Sequence, residues 1–184
     1  MNKSALYKPL LITPRRFGDR RGYFGETYSR RRYADLGVGE EFVQDNHSLS
    51  CAVGTLRGLH FQSPPNSQAK LVRCGSGAIF DVAVDIRRGS PSYGDWTGHI
   101  LTAENGHQLF IPVGFAHGFV TLEPRSEIVY KCTNYYAPET EGAVHWDSCG
   151  IDWPLSECPV LSDKDAIAPA LVDFESPFIF GKNS

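Results

Sequence analysis

Apolar and polar residues alternate along several short segments of this chain. In the segment IFDVAVDIR, Ile79, Asp81 and Ala83 would lie on one face of a strand, with Val82 and Val84 on the other, because side chains alternate along a strand. The segments HQLFIPVG, HGFVTL and SEIVYKCTNYY show the same period of two, and glycines and prolines separate them at turn-like intervals. The pattern predicts an all-β sandwich or barrel.

Helical periodicity is weak, and only a few short helices are predicted. The segment SRRRYADLG favours a helix with Ser29 as its N-cap and Gly37 near its C-terminal end, and LSDKDAIA favours another that Ser162 would cap. We find no internal repeat, low-complexity tract or linker. The simplest organisation is a single domain over residues 1–184 with an extended N-terminal arm.

Composition and charge narrow the class of protein. A hydrophobic fraction of 41% excludes a disordered chain, and a net charge of −3 gives no reason to expect nucleic acid or an anionic membrane as partner. No segment reaches the roughly 18 apolar residues of a membrane-spanning helix, and the N-terminus lacks the pattern of a signal peptide. The five cysteines have no C-x-x-C spacing, which argues against a disulfide framework or a zinc site and favours a reducing cytoplasm, with the thiols as small buried groups.

The segment LRGLHFQ places two polar groups in a predicted strand. Arg57 and His60 are costly to bury unless they are paired or used. In a regular strand they would point to opposite faces, so both can reach one site only if the strand is irregular. Gly58, which lies between them, is where a β-bulge could occur.

The segment GHQLFIPVGFAHGFVTL carries the first resemblance to a known family. Its Gly106, Pro112, Gly114 and His117 match the second signature of the cupin jelly-roll barrels, in which the histidine points into the barrel.

The region that corresponds to the first cupin signature departs from the metal-binding pattern. His60 is followed by Phe61 and Gln62, so the second histidine of the His-x-His motif is missing, and Lys70 stands near the place of the usual acid. A cation there would repel a divalent metal. The resemblance is therefore to a cupin barrel without a metal.

Many further segments, in the same order, resemble the dTDP-4-dehydrorhamnose 3,5-epimerases, which act on dTDP-4-keto-6-deoxyglucose in the rhamnose pathway. They include DRRGYFGETY, FVQDNHS, LRGLHFQ, IPVGFAHGF, EIVYKCTNYYAPETEGAVHWD and LSDKDAIAP, and they cover roughly residues 10–170. The resemblance implies a dTDP-sugar substrate, no cofactor, and a homodimer to whose interface the N-terminal arm of about residues 1–40 contributes.

The resemblance also implies catalytic roles for four residues. A 4-keto group acidifies the protons on C3 and C5, so epimerisation needs a base, an enolate stabiliser and an acid on the opposite face. His60 is the predicted base, with Asp165 as its partner and Asp163 as the fallback. Lys70 would stabilise the enolate and lower the pKa of Tyr130, the predicted acid. Without the resemblance, these side chains would be read as a core histidine, a surface lysine and a core aromatic.

A second set of residues is carried over for substrate binding. Arg21 and Glu26 are predicted to reach the site of the partner subunit, His117 to hydrogen-bond the substrate, and Tyr136 to shape the sugar pocket or serve as a second candidate acid. Arg57 suits a diphosphate, because a guanidinium pairs bidentately with phosphate oxygens. The full set comprises Arg21, Glu26, Gln44, Asp45, Asn46, Arg57, His117, Tyr136, Glu141 and Lys164.

Three alternatives stay open at this point. An epimerase that acts at C3 only or C5 only, in antibiotic deoxysugar biosynthesis, would carry the same catalytic set. A metal-dependent cupin oxygenase or isomerase is disfavoured by the missing His-x-His motif. A non-catalytic sugar-binding cupin is disfavoured because a binding protein needs neither a base nor an acid.

Overall fold

The computed structural model describes residues 8–181, which form twelve strands, two short α-helices and brief 3-10 turns at Pro138–Thr140 and Leu171–Asp173. The strands are β1 (Leu10–Ile12), β2 (Arg16–Asp19), β3 (Gly22–Gly25), β4 (Gln44–Ser50), β5 (Leu56–Gln62), β6 (Lys70–Ser76), β7 (Ala78–Asp85), β8 (Trp96–Thr102), β9 (Gln108–Ile111), β10 (Phe115–Thr121), β11 (Ser126–Cys132) and β12 (Glu141–Ala143), and the helices are α1 (Arg30–Asp35) and α2 (Asp163–Ala166).

Ten of the strands form two antiparallel five-stranded sheets. The first sheet has the order β1-β9-β6-β11-β4 and the second has the order β12-β5-β10-β7-β8, while β2 and β3 pair only with each other. Strands that are neighbours in a sheet are often distant in the chain, as in a jelly roll. The predicted all-β, cupin-type fold is confirmed.

The two sheets face each other across an apolar core. Val72 and Ile128 of the first sheet pack there against Ile79, Ala83 and Phe119 of the second. Alternation in β7 is as predicted, since Ile79 and Ala83 point into this core while Val82 and Val84 pack on the outer face of the same sheet. Both faces of β7 are therefore buried, which explains its nearly continuous apolar sequence.

The C-terminal segment covers the outer face of the second sheet. Phe174 and Phe178 pack against Phe61 of β5, with ring centroids 5.4 and 5.8 Å apart. Phe61 and Leu59 thus anchor β5 from outside, which leaves His60 between them to point inward.

The N-terminal region has more structure than an extended arm. Strand β1 pairs with β9 at the edge of the first sheet, and Ile12, Tyr33 and Val38 pack on the outer face of that sheet. The β2–β3 hairpin instead exposes aromatic rings, with Phe24 72% exposed. The first seven residues of the predicted arm, and residues 182–184 of the predicted domain, lie outside the described residues.

Both predicted helices are confirmed. Ser29 precedes α1 as its N-cap, and the hydroxyl of Ser162 caps α2 by accepting a hydrogen bond from the backbone N–H of Asp165 at 3.2 Å. None of the helices within residues 8–181 is long and apolar enough to cross a membrane.

The five cysteines are free thiols, as the spacing predicted. Cys74 and Cys132 are buried, but the expectation of burial is wrong for Cys51 and Cys158, which are exposed. These two lie in connecting segments rather than in the interior-facing positions of strands.

Candidate active site

A cavity of about 450 Å³ opens between the two sheets, where polar side chains replace the apolar core. A second cavity of similar volume adjoins it, and His60, Lys70, Tyr130 and Glu141 line both. The predicted site residues that line one or both cavities are Gln44, Asn46, Arg57, His60, Lys70, His117, Tyr130, Tyr136, Glu141, Lys164 and Asp165.

A β-bulge in β5 brings Arg57 and His60 to the same cavity. His60 pairs with His117 of β10 and Arg57 pairs with Phe119, so two residues of β5 stand opposite Gly118 alone. This extra residue reverses the alternation of side chains between positions 57 and 60. The irregularity predicted at Gly58 is therefore confirmed. It explains how Arg57 and His60, which a regular strand would point to opposite faces, reach the same cavity.

Gly58 is required by both its conformation and its surroundings. Its φ of +140° is a value that side-chain-bearing residues rarely adopt, and a Cβ there would lie 2.5 Å from Cα of Gly118 and 3.0 Å from the backbone oxygen of His117. Because both obstacles are backbone atoms, no rotamer change can relieve the clash. Gly58 therefore allows the close approach of β5 and β10 that the bulge needs.

We expect Gly58→Ala to lower the free energy of unfolding by about 3 kcal/mol, because positive-φ strain adds to overpacking. Urea denaturation followed by circular dichroism measures it. Gly39→Ala is the matched control, since a Cβ at Gly39 meets nothing within 4 Å and its φ is not in the positive region. Equal stability of the two variants would contradict the assigned role of Gly58.

His60 is held by a buried carboxylate. Its Nε2 lies 2.5 Å from Oδ1 of Asp165, whose side chain is only 3% exposed. Burial acts to raise the pKa of Asp165, but hydrogen bonds with His60 and Ser162 outweigh it and hold that pKa below its usual range. The ionised carboxylate accepts the Nε2–H of His60, which leaves Nδ1 as the nitrogen that can take up a proton. The predicted pairing of His60 with Asp165, rather than with Asp163, is confirmed.

Tyr130 and Lys70 approach the cavity from the opposite sheet. They lie on β11 and β6 of the first sheet, whereas His60 lies on β5 of the second, and Nζ of Lys70 is 6.0 Å from the centroid of the Tyr130 ring. Burial raises the pKa of Tyr130, and Arg57 opposes this only in part. The prediction that Lys70 lowers this pKa is therefore wrong for the free chain, because desolvation of the phenol is the larger effect. A phenol that stays protonated can still donate.

Two cations at the cavity lack a carboxylate partner. The neighbouring acids, Asp165 and Glu141, are paired with His60 and Lys164. Within residues 8–181 this leaves Lys70 unpaired, and leaves Arg57 bonded through Nε to the hydroxyl of Ser50 at 3.2 Å. Burial lowers the pKa of Lys70. Arg57 and Lys70 are thus the basic groups of the cavity that remain available to pair with an anionic ligand.

A second histidine–aspartate pair lies deeper in the barrel. Nε2 of the buried His117 donates to Oδ1 of Asp81 at 2.8 Å, and Asp81 is completely buried. Burial lowers the pKa of His117, and the adjacent Asp81 opposes this only in part, which favours the neutral imidazole. Asp81 was missed by the sequence analysis, which noted it only as a strand residue, although an acid in an otherwise apolar strand was a usable signal.

Glu141 joins the two cavities to α2. Its Oε2 accepts hydrogen bonds from the hydroxyl of Tyr136, at 3.1 Å, and from Nζ of Lys164. Burial acts to raise the pKa of Glu141, but these two hydrogen bonds outweigh it, so the pKa lies below its usual range. The ion pair ties the helix that carries Asp165 to the rim of the site.

Three predicted binding residues lie outside the cavities of their own chain. Asp45 points to the outer face of β4, where Nζ of Lys131 lies 2.8 Å away, because alternation separates it from the cavity-lining Gln44 and Asn46. Arg21 pairs with Asp19 at 2.5 Å in the exposed β2–β3 hairpin. Glu26 follows that hairpin, 4.0 Å from Arg32.

Metal-binding residues do not cluster in the described part of the chain. No group of three or more histidine, cysteine, aspartate or glutamate side chains is arranged to hold a metal ion within residues 8–181. At the position of the missing cupin histidine, the amide of Gln62 is hydrogen-bonded to the backbone of Asn66, Tyr135 and Ala137.

The cupin-like fold and a histidine–aspartate pair that faces a tyrosine and a lysine fit an isomerase that works by proton transfer, and comparison with known proteins agrees. The family model described as dTDP-4-dehydrorhamnose 3,5-epimerase matches residues 3–173. The chain belongs to the dTDP-4-dehydrorhamnose 3,5-epimerase family, and the predicted family and enzyme class are confirmed.

Individual relatives match over nearly the whole chain. A dTDP-4-dehydrorhamnose 3,5-epimerase of Salmonella typhimurium is 54% identical over 92% of this chain and 93% of its own length. A solved 3,5-epimerase of Legionella pneumophila, in complex with dTDP-4-keto-L-rhamnose, is 49% identical, with a TM-score of 0.87 over 91% of this chain and 89% of that one. A 3′-monoepimerase of Streptomyces bikiniensis, in complex with dTDP-quinovose, is 33% identical, with a TM-score of 0.84 over 90% and 84%.

Proposed function

We propose that this chain epimerises dTDP-4-dehydro-6-deoxy-D-glucose at C3 and C5 to give dTDP-4-dehydro-L-rhamnose, in dTDP-L-rhamnose biosynthesis. One observation carries the proposal: His60, paired with Asp165, faces Tyr130 and Lys70 across a single cavity, from the opposite sheet. Inversion of a carbon requires a proton to leave one face of the sugar and another to arrive on the opposite face. Groups on two facing sheets satisfy that requirement.

His60 is the base in this reaction. Its Nδ1 takes the proton from the carbon next to the 4-keto group, and the imidazolium that forms is stabilised by the adjacent carboxylate of Asp165. Because Asp165 is already ionised and buried, no rearrangement of charge partners is needed as the proton moves.

The enolate needs a positive charge at the C4 oxygen. Lys70 lines both cavities and has no competing carboxylate partner within the described residues, so its ammonium group can turn to this oxygen. Tyr130, protonated in the free chain, then returns a proton on the face opposite His60. Each epimerisation therefore ends with the tyrosine deprotonated and the histidine protonated, and exchange with solvent restores both.

The nucleotide part is bound by charge and by a second subunit. Arg57 at the mouth of the cavity suits the diphosphate. Arg21 and Glu26 act in the site of a partner subunit, since the β2–β3 hairpin before Glu26 pairs with neither large sheet and exposes aromatic rings. This part of the proposal includes a homodimer. Five free thiols support a location in the cytoplasm.

A single-position epimerase is the alternative within the same chemistry. Higher identity to relatives named for 3,5-epimerisation than to the monoepimerase supports the double reaction. A sugar-binding protein without activity would not need a histidine–aspartate pair aimed into the site.

Incubation with dTDP-4-dehydro-6-deoxy-D-glucose in heavy water tests the proposal. We expect NMR to show replacement of both the C3 and C5 protons by deuterium, because each is removed and returned from solvent-exchanging groups. dTDP-glucose is the control, since it lacks the keto group that acidifies those protons. Exchange at one carbon would select the single-position epimerase, and no exchange would overturn the proposal.

A further inference from the structure

Three glutamine side chains beside the second cavity bind the backbone of one loop. Nε2 of Gln68 donates to the carbonyl of Asn134 at 2.8 Å, and Oε1 of Gln44 accepts from the backbone N–H of Tyr136 at 2.9 Å. Gln62 binds the residues on either side of Tyr136. Residues 134–137 are thus held at each position by a side chain that lines the cavity.

Gln62 has the most contacts of the three. Its Nε2 donates to the carbonyls of Asn66 and Tyr135 at 2.7 and 3.1 Å, and its Oε1 accepts from the backbone N–H of Ala137 at 2.9 Å. Both amide donors are therefore used, and the side chain is buried, with Gln62 only 4% exposed. Such a fully bonded buried amide fixes its partners closely, because each lost bond leaves an unsatisfied polar group.

The loop held in this way carries Tyr136, which is 57% exposed and belongs to none of the three hydrophobic clusters of the described residues. Its hydroxyl donates to Glu141, the residue that pairs with Gln62 across β12 and β5. The backbone on both sides of Tyr136 is therefore tied to Gln62 at the end of β5, and its hydroxyl is tied to the residue of β12 that pairs with Gln62. Its orientation depends on these hydrogen bonds rather than on a hydrophobic core.

We propose that Gln62 is a positioning residue that holds Tyr136 as a wall of the second cavity and thereby sets the affinity for the sugar nucleotide. This inference rests on the proposed function. Gln62 stands at the position where metal cupins carry their second histidine. Here its amide anchors two loops, one at Asn66 and one at Tyr135 and Ala137. The amide of Gln62 is engaged by loop backbone, so its effect falls on substrate binding rather than on proton transfer.

Gln62→Met tests the proposal, because methionine keeps the length of the side chain and removes all three hydrogen bonds. We expect hydrogen exchange at the amide of Ala137, whose N–H loses its acceptor, to become about tenfold faster or more. KM should rise about tenfold, and kcat should change by less than about twofold. In the double variant Gln62→Met/Tyr136→Ala, KM should equal that of Tyr136→Ala alone, since both changes remove the same wall.

Asn105→Ala is the matched control. The side chain of Asn105 also makes three hydrogen bonds to backbone groups of one turn, at Thr102, His107 and Ile100, and lines neither cavity. We expect Asn105→Ala to lower Tm about as much as Gln62→Met does, while KM stays unchanged.

An unchanged KM in Gln62→Met, or a KM effect that adds to that of Tyr136→Ala, would overturn the proposal. If the wild-type protein turned over no substrate, the proposed function would fail. If the amide of Ala137 exchanged as slowly in Gln62→Met as in the wild type, the positioning of Tyr136 would be refuted separately.

Discussion

His60→Asn is expected to lower kcat on the order of 10³-fold, while dTDP still binds with nearly wild-type affinity. Asparagine has similar size but no basic nitrogen, so proton removal from the sugar loses its acceptor. Arg57, the proposed diphosphate contact, is unchanged in this variant, so dTDP binding should survive. Steady-state kinetics and calorimetric titration with dTDP measure the two effects separately.

Two further variants make the result specific. Asp165→Asn should also lower kcat, because an amide cannot stabilise the imidazolium and can impose the other histidine tautomer. His145→Asn is the control, since His145 lines neither cavity. Turnover near that of the wild type in His60→Asn would rule out His60 as the base, and loss of dTDP binding would instead indicate a folding defect.

Tyr130→Phe is expected to lower formation of the epimerised product by about 10²-fold. Removal of the substrate proton by His60 should be slowed less than formation of the inverted product. The ring that packs against the core remains, and only the proton donor is removed. His60 can still take a proton from the substrate and return it on the same face. We therefore expect deuterium to enter the sugar from heavy water faster than inverted product appears, which NMR can follow in a single sample.

Comparison with two other tyrosines separates the acid from its neighbours. Tyr136→Phe keeps the ring and tests the second candidate acid, and it should retain most of the product formation if Tyr130 is the donor. Tyr135→Phe is the control, since Tyr135 is 67% exposed and lines neither cavity. Equal loss of exchange and product in Tyr130→Phe would contradict an acid role on the face opposite His60.

Local rules explain which parts of the fold could be predicted. In β7, β10 and β11 the period of two in the sequence reflects the alternation of side chains between the two faces of a strand. The strands and the all-β class therefore followed from the pattern alone. Ser162 marked the start of α2 because its hydroxyl satisfies a free backbone N–H. The same alternation separates Asp45 from Gln44 and Asn46, so its outward orientation was also available from the sequence.

Contacts between distant segments explain most of what was missed. Tyr130 was expected to have a lowered pKa on account of a nearby lysine, but the depth of burial decides the direction, and burial depends on how the two sheets meet. Asp81 and Gln62 are ordinary strand residues in the sequence. Their partners, His117 and the backbone near Tyr136, lie 36 and about 75 positions away.

The sequence by itself determined the strands, the helix starts, the family and the residue types available for proton transfer, because period, capping and motif order are properties of neighbouring residues. The tertiary structure decided which of those residues meet. The bulge at Gly58 turned Arg57 and His60 to one cavity, and α2 carried Asp165 to His60 across 105 positions. Distances, burial and charge balance arise only when both sheets close around the cavity. The directions of the pKa shifts, and the placement of the base opposite the acid, therefore required the tertiary structure.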